Sequence, residues 1–146
     1  MITNEVQYRA TKGHLARFEN AIANLEARGD VTATDRRRLE MEVAALRSQP
    51  ADLQAEIEEY ELLRSGALTT FEAATLPEIA GALVKARVAR GWTQRRLADE
   101  LGAAEQQVQR YEATGYASAS LARLCDVVAA LGAEVREVVT LGTDAA

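Results

Sequence analysis

The chain has 146 residues, of which 48% are apolar and only 5% aromatic. This length suits one or two small domains, and the low aromatic content requires a core of mostly aliphatic side chains. Ala, Leu, Glu and Arg dominate and Pro occurs twice, which favours an all-α protein. The single cysteine, Cys125, excludes an internal disulfide framework. With His14 as the only histidine, a structural metal site is not expected.

The sequence also argues against three functional classes. It lacks a run of about 18 apolar residues that could span a membrane, and its polar start, MITNEVQYRATKG, lacks the apolar stretch of a signal peptide. It has no glycine-rich phosphate loop, no pair of histidines and no nucleophile beside a base, so we expect neither catalytic residues nor a cofactor. These features predict a cytoplasmic protein that is not an enzyme.

Charge is distributed unevenly along the chain. Residues 1–64 carry nine basic and twelve acidic side chains, whereas residues 76–132 carry seven basic and six acidic ones. The net charge of the whole chain is −5, so the acidic surplus lies outside residues 76–132. The small positive charge of that segment is a weak electrostatic signature for binding to nucleic acid.

Two helices are predicted in the amino-terminal half. The first lies between Thr11, a suitable N-cap, and Gly29, a suitable C-cap. Its apolar residues are spaced by three and four positions and form one narrow stripe: Leu15, Phe18, Ile22 and Leu25. The second helix is expected to begin after Thr34, with Asp35 near the positive end of the helix dipole, and to extend to about Arg64.

The second helix carries a heptad pattern typical of a coiled coil. The d positions are Leu39, Leu46, Leu53 and Tyr60, and the a positions are Val43, Pro50 and Ile57. Proline removes an amide donor and clashes with the preceding turn, so we expect a kink or break near residues 48–50. Short a/d stripes do not fix the partner, so the pattern permits a hairpin within one chain, a dimer between chains or a simple spacer.

The start of a second domain is indicated by helix-capping residues. Thr75 with Glu78 fits a capping box, and Pro77 suits the first turn of a helix, where its missing N–H has no partner to lose. The predicted division is a helical hairpin or coiled-coil arm, a linker, a helical domain and a carboxyl-terminal strand or tail, over residues 1–66, 67–75, 76–132 and 133–146.

Residues 76–132 show the pattern of four short helices. They are expected to run from Pro77 to Arg90, from Thr93 to Gly102, from about Ala104 onward, and from Ser118 or Ser120 to Leu131. Their inward-facing residues are Ile79, Leu83, Ala86, Leu97, Ala98, Leu101, Val108, Tyr111, Leu121, Leu124, Val128 and Leu131. Ala98 is small enough for two steeply crossing helices to touch, and Gly102 suits a left-handed turn between them. The outward positions of the third helix are then free to enter a major groove.

This segment resembles the Xre-type helix-turn-helix family of phage repressors and bacterial antitoxins. The matching residues are Leu83, Arg87, Thr93, Gln94, LADELG at residues 97–102, Val108, the RYE triplet at residues 110–112, and Gly115. The resemblance covers residues 76–132. It implies a repressor-like domain of four to five helices that binds double-stranded DNA.

The resemblance also implies which side chains contact DNA. Four lie on the face of the third helix with which the family reads bases: Glu105, Gln106, Gln109 and Arg110. Gln94 resembles the glutamine that contacts the DNA backbone and supports the third helix. Further phosphate contacts are expected from Arg95, Arg96, Thr114, Tyr116 and Ser118. Glu105 stands where an uncharged residue is more usual, and its carboxylate repels phosphate although it can accept from a cytosine amino group.

The carboxyl-terminal run AEVREVVTL alternates loosely between apolar and polar residues. This alternation predicts a short β-strand over residues 134–141, while a helix extension or a frayed tail fits equally well. Antitoxin-like members of the family can dimerise through such a segment. We therefore expect a homodimer, for which this segment and the helix over residues 35–64 are competing contacts.

Two functions follow from these features. The first is a sequence-specific transcriptional regulator, a repressor that reads operator DNA as a dimer. The second is an antitoxin or adaptor whose acidic arm, residues 1–64, covers the basic surface of a partner such as an RNA-cleaving toxin. The two are compatible, because an antitoxin of this kind can also repress its own operon.

Overall fold

The structure is a computed structural model that describes residues 1–28 and 32–141. Within those ranges the chain forms six α-helices and no strand, which confirms the all-α prediction. The helices are α1 (Glu5–Glu26), α2 (Ala33–Arg64), α3 (Leu76–Ala89), α4 (Gln94–Leu101), α5 (Glu105–Ala113) and α6 (Leu121–Ala130). None of these described helices is both long and apolar enough to cross a lipid bilayer.

Helix α1 begins earlier than the sequence predicted. Asn4, not Thr11, is its N-cap, and the Asn4 side-chain oxygen accepts a hydrogen bond from the backbone N–H of Gln7 at 2.9 Å. Thr11 therefore lies inside a regular helix. The predicted C-cap Gly29 falls outside the described residues, and the helix itself ends at Glu26.

Helix α2 runs unbroken through Pro50, so of the kink or break predicted near residues 48–50 the break is wrong and the kink stays a prediction. Thr32 caps the helix by accepting from the Asp35 amide, two residues before the predicted start. Proline removes only one hydrogen bond from this 32-residue helix. Packing of α1 along α2 supplies contacts that compensate for that bond.

The helices α1 and α2 pair within one chain as an antiparallel hairpin, one of the arrangements that the sequence left open. The predicted stripe of α1 faces the partner helix, since its four apolar residues are all half-buried. On α2, Val43, Ile57 and Tyr60 are buried, while the other heptad positions are half-buried. A pairing between chains stays a prediction.

The base of the hairpin shares a hydrophobic cluster with α3. Its buried members come from the amino terminus, α2 and α3: Ile2, Ile57, Tyr60, Leu63 and Val88. Phe71, from the non-helical residues 67–75, packs against the same cluster. The predicted linker thus contributes to the core, and the arm is joined to α3 by apolar packing as well as by the chain.

A second cluster is enclosed by α3, α4, α5 and α6. Its buried members are Ala80, Leu83, Val84, Leu97, Ala98, Val108, Tyr116, Val127 and Leu131. Most predicted inward residues lie in or against this cluster. Leu121 is an exception, since it is 73% exposed at the first position of α6. Val127, which the sequence analysis missed, is fully buried instead.

The β-strand predicted over residues 134–141 is not formed. Residues 133–141 have no regular structure, and Val138, Val139 and Leu141 are each more than 80% exposed. A lone strand has no neighbour for its backbone hydrogen bonds, so an apolar alternation alone does not produce one. In this structure the segment matches the alternative of a tail without regular structure.

Candidate DNA-binding site

The turn between α4 and α5 forms as the sequence predicted. The Thr93 hydroxyl caps α4 by accepting from the Arg96 amide at 3.0 Å. Gly102 ends the helix in the left-handed region, at φ 60°, where a side chain would be strained. Leu97 and Ala98 are buried at the contact between α4 and α5. These contacts fix the crossing of the two helices and orient α5.

Helix α5 has one buried face and one exposed face. Val108 and Glu112 are buried, and Tyr111 is half-buried against the core. The four proposed base contacts all lie on the exposed side of the helix: Glu105, Gln106, Gln109 and Arg110. A polar face held away from the core is the arrangement needed to place side chains in a major groove.

Two of those side chains interact with each other. The Gln109 amide nitrogen lies 3.4 Å from a Glu105 carboxylate oxygen, one helical turn away. This weak hydrogen bond directs the Glu105 carboxylate along the helix toward Gln109. Arg110 forms no ion pair within residues 1–28 and 32–141, so its guanidinium group is available to a ligand.

Behind α5 lies a buried ion pair between Arg87 of α3 and Glu112 of α5. Arg87 Nε and Nη2 donate to the two carboxylate oxygens at 2.5 and 2.7 Å, and both side chains are at most 2% exposed. Arg87 Nη1 also donates to the Trp92 carbonyl at 2.6 Å. A bidentate pair of this kind is directional, so it fixes the rotation of α5 against α3.

Gln94, the first residue of α4, lies beside this ion pair and is only 7% exposed. Its amide nitrogen donates to Glu112 at 2.8 Å, and its amide oxygen accepts from Asn4 at 3.3 Å. Both ends of the side chain are therefore engaged inside the protein. The resemblance implied two roles for Gln94, and its hydrogen bond to Glu112 agrees with the first, the support of α5. The second role, a contact of the Gln94 side chain with the DNA backbone, stays a prediction.

The flanking residues differ in how freely they can reach a phosphate. Arg95, Thr114 and Ser118 are exposed. Arg96 is exposed but forms a 2.6 Å ion pair with Glu100 and lies over the Trp92 ring at 5.2 Å. That engagement makes Arg96 a weaker candidate than Arg95.

Tyr116 requires a correction, because it belongs to the core instead of the surface. It is 3% exposed, and its ring stacks on Tyr111 with a centroid distance of 5.7 Å. Burial raises the pKa of the Tyr116 phenol, and the nearby Glu112 carboxylate raises it further. Its backbone has a positive φ of 58°, which turns the side chain inward after the left-handed Gly115. A phenol held there cannot serve as a phosphate contact in this conformation.

In the sequence, Arg87 and Glu112 are recognised only as residues that match a family pattern. A signal for their pairing was present in the helical register. Arg87 lies four residues after Leu83 on the buried stripe of α3, and Glu112 lies four residues after Val108 on that of α5. A charge on a core stripe must be paired, so two opposite charges in such positions predict a buried ion pair.

Comparison with known proteins agrees with this geometry. Residues 83–138 match the helix-turn-helix family model, a segment that begins within α3 and extends beyond α6. No curated protein and no solved structure gives a significant match. The matched family is one of DNA-binding regulatory domains and is not typically enzymatic. Residues 83–138 therefore form a helix-turn-helix domain of the Xre-like type, the domain of a DNA-binding regulator.

Proposed function

We propose that the protein is a sequence-specific transcriptional repressor that reads operator DNA with the exposed face of α5. The observation that supports this most directly is the exposure of Gln106, Gln109 and Arg110 on a helix whose opposite face is fixed by the buried pair. Glutamine can form two hydrogen bonds with adenine, and arginine can form two with guanine. Arg95, Thr114 and Ser118 flank α5 and are proposed phosphate contacts.

A homodimer is part of this proposal. One short helix reads only a few base pairs, so a single domain buries too little surface for strong discrimination. Two copies that read two half-sites double the contacts and match the symmetry of a palindromic operator. The carboxyl-terminal tail over residues 133–141 and helix α2 are the proposed alternative contacts between the copies.

The test is gel retardation of the protein's own promoter fragment. Arg110→Ala and Gln106→Ala should each weaken binding by about 1–3 kcal/mol and relax the preference at one base pair in each half-site. Arg38→Ala is the matched control, because it removes an exposed arginine from the arm, where the ion pair with Glu42 lies at the surface. Equal retardation by the parent, Arg110→Ala and Gln106→Ala would contradict the assignment of α5.

Salt dependence separates phosphate contacts from base contacts. Each neutralised phosphate contributes about 0.9 to the slope of log affinity against log salt, so a dimer with few cationic contacts should show a slope on the order of −4 to −6. Arg95→Ala should make the slope shallower and leave base preference unchanged, because counterion release is insensitive to sequence. Affinity that is constant between low and physiological salt would contradict these phosphate contacts.

A second function, an antitoxin or adaptor that binds a partner protein, is supported by the arm. The hairpin lies outside the matched segment 83–138 and has more acidic than basic residues over residues 1–64. Such a surface complements a basic partner, for example an RNA-cleaving toxin. The test is co-expression with the product of a neighbouring gene. Failure to co-purify, together with a neighbour that is not toxic, would exclude this function.

A further inference from the structure

The residues before α1 lie against the helix-turn-helix domain. Ile2 is 3% exposed and packs with Ile57, Tyr60 and Val88 at the junction of α2 and α3. Asn4 follows as the N-cap of α1. The first helix of the arm therefore begins beside α4, next to the buried pair of Arg87 and Glu112.

The carbonyl of Thr3 accepts a further hydrogen bond from Arg87. Arg87 Nη2 donates to the Thr3 oxygen at 2.7 Å in addition to its bond with Glu112. A buried ion pair stabilises a fold only when the remaining N–H groups of the guanidinium also have acceptors. The amino-terminal segment supplies one acceptor, and Trp92 supplies another.

The side chain of Asn4 connects α1 to α4 directly, and to α5 through Gln94. Its oxygen caps α1 by accepting from the backbone N–H of Gln7, and its nitrogen donates to the side-chain oxygen of Gln94 at 3.3 Å. Gln94, the first residue of α4, donates in turn to Glu112 of α5 at 2.8 Å. A continuous series of hydrogen bonds thus runs from the start of the arm to the buried face of α5.

We propose that Thr3 and Asn4 are positioning residues for DNA reading by α5. They act through Arg87, Gln94 and Glu112, which set how α5 lies against α3 and α4. The geometry of a hydrogen bond to a base edge is strict, so a small rotation of α5 weakens contacts and lowers discrimination. The inference rests on the proposed function of α5, and it assigns the arm a part in that function.

Asn4→Ser separates the two roles of Asn4. Serine caps a helix about as well as asparagine does, so α1 keeps its cap, but its short hydroxyl does not reach Gln94. Loss of one such hydrogen bond should speed amide exchange in α4 and α5, without DNA, by about three- to tenfold. Affinity for the promoter fragment should fall by a similar factor, and the preference over a fragment with one altered base pair should narrow. Asn20→Ser, the same change at an exposed position of α1, should alter none of these.

A second variant, Ile2→Ala, loosens the anchor of the Thr3 carbonyl and should give the same exchange pattern in α4 and α5. Unchanged exchange of α5 in both variants would overturn the inference. An equal increase of the amide exchange rate in α6 would also overturn it, because that result means general destabilisation. Faster exchange of α5 with unchanged discrimination between the two DNA fragments would overturn it as well. If α5 exchanges faster but the parent protein does not bind the fragment, the proposed function fails while the coupling of Asn4 to α5 stands.

Discussion

The two halves of the molecule use helices in opposite ways. The arm consists of the longest helices, of 22 and 32 residues, yet α1 has no buried residue. In the part of α2 far from α3, Val43 is the only buried residue among those whose burial is described. Helices α4 and α5 have 8 and 9 residues, yet Leu97 and Val108 are fully buried. Two helices can cover only one stripe of each other, whereas four helices enclose a volume. Burial therefore depends on the number of packed layers and not on helix length.

The largest expected effect concerns the buried ion pair. Arg87→Met leaves the Glu112 carboxylate buried without its cation, which should destabilise the fold by about 3–5 kcal/mol in urea denaturation. The matched change in the arm is Arg47→Met, whose ion pair with Glu26 is more than 40% exposed on both sides. That change should have an effect of about 0–1 kcal/mol. Similar losses in the two variants would contradict the contrast between the halves.

The second comparison removes one leucine side chain from each half. Leu97→Ala opens a cavity in the enclosed core and should destabilise the protein by about 2–5 kcal/mol. Leu46→Ala, at a half-buried heptad position, should have a clearly smaller effect, since solvent already reaches that site. Chemical denaturation of both variants measures the difference. A larger loss for Leu46→Ala would mean that the arm is covered in solution, for example by a second copy.

The third prediction concerns Pro50. An interior proline disfavours a helix by about 3 kcal/mol relative to alanine, so Pro50→Ala should stabilise the local structure of α2. Amide exchange around residues 46–54 should slow by about ten- to a hundredfold, with less change in global unfolding, because the arm opens locally. Ala51→Gly, at the exposed neighbouring position, should speed the same exchange. Faster exchange in Pro50→Ala would show that the proline supports the hairpin.

The smallest effect is expected from Tyr116 at alkaline pH. Burial raises the pKa of the folded-state phenol, whereas the unfolded phenol ionises at about pH 10. Above that pH the unfolded chain releases a proton that the folded chain retains, so stability falls as pH rises. Tyr116→Phe removes this contribution and should show a shallower decline, with its stability at pH 7 as the reference for altered packing. Parallel curves for the two proteins would contradict the burial of the phenol.

Local signals in the sequence were enough to predict most of the helix-turn-helix. Thr93 as a cap, Gly102 as a left-handed turn and the 3–4 spacing of apolar residues act within one or two turns of a helix. Such features operate over short distances, so they can be read without knowledge of the packing. Leu121 was wrongly predicted to face inward. Its exposure depends on where α6 lies relative to the other helices, which local signals do not determine.

The sequence alone determined that the protein is helical, that residues 76–132 include a helix-turn-helix, and that a polar face lies on the third helix of that segment. Only the tertiary structure decided that α1 pairs with α2 within the chain, that Gln94 and Tyr116 turn inward, and that Thr3 and Asn4 join the network around Arg87. The residues in that network are separated by up to 90 positions along the chain. Periodicity and capping say nothing about contacts over such separations, because those contacts arise only when the helices pack.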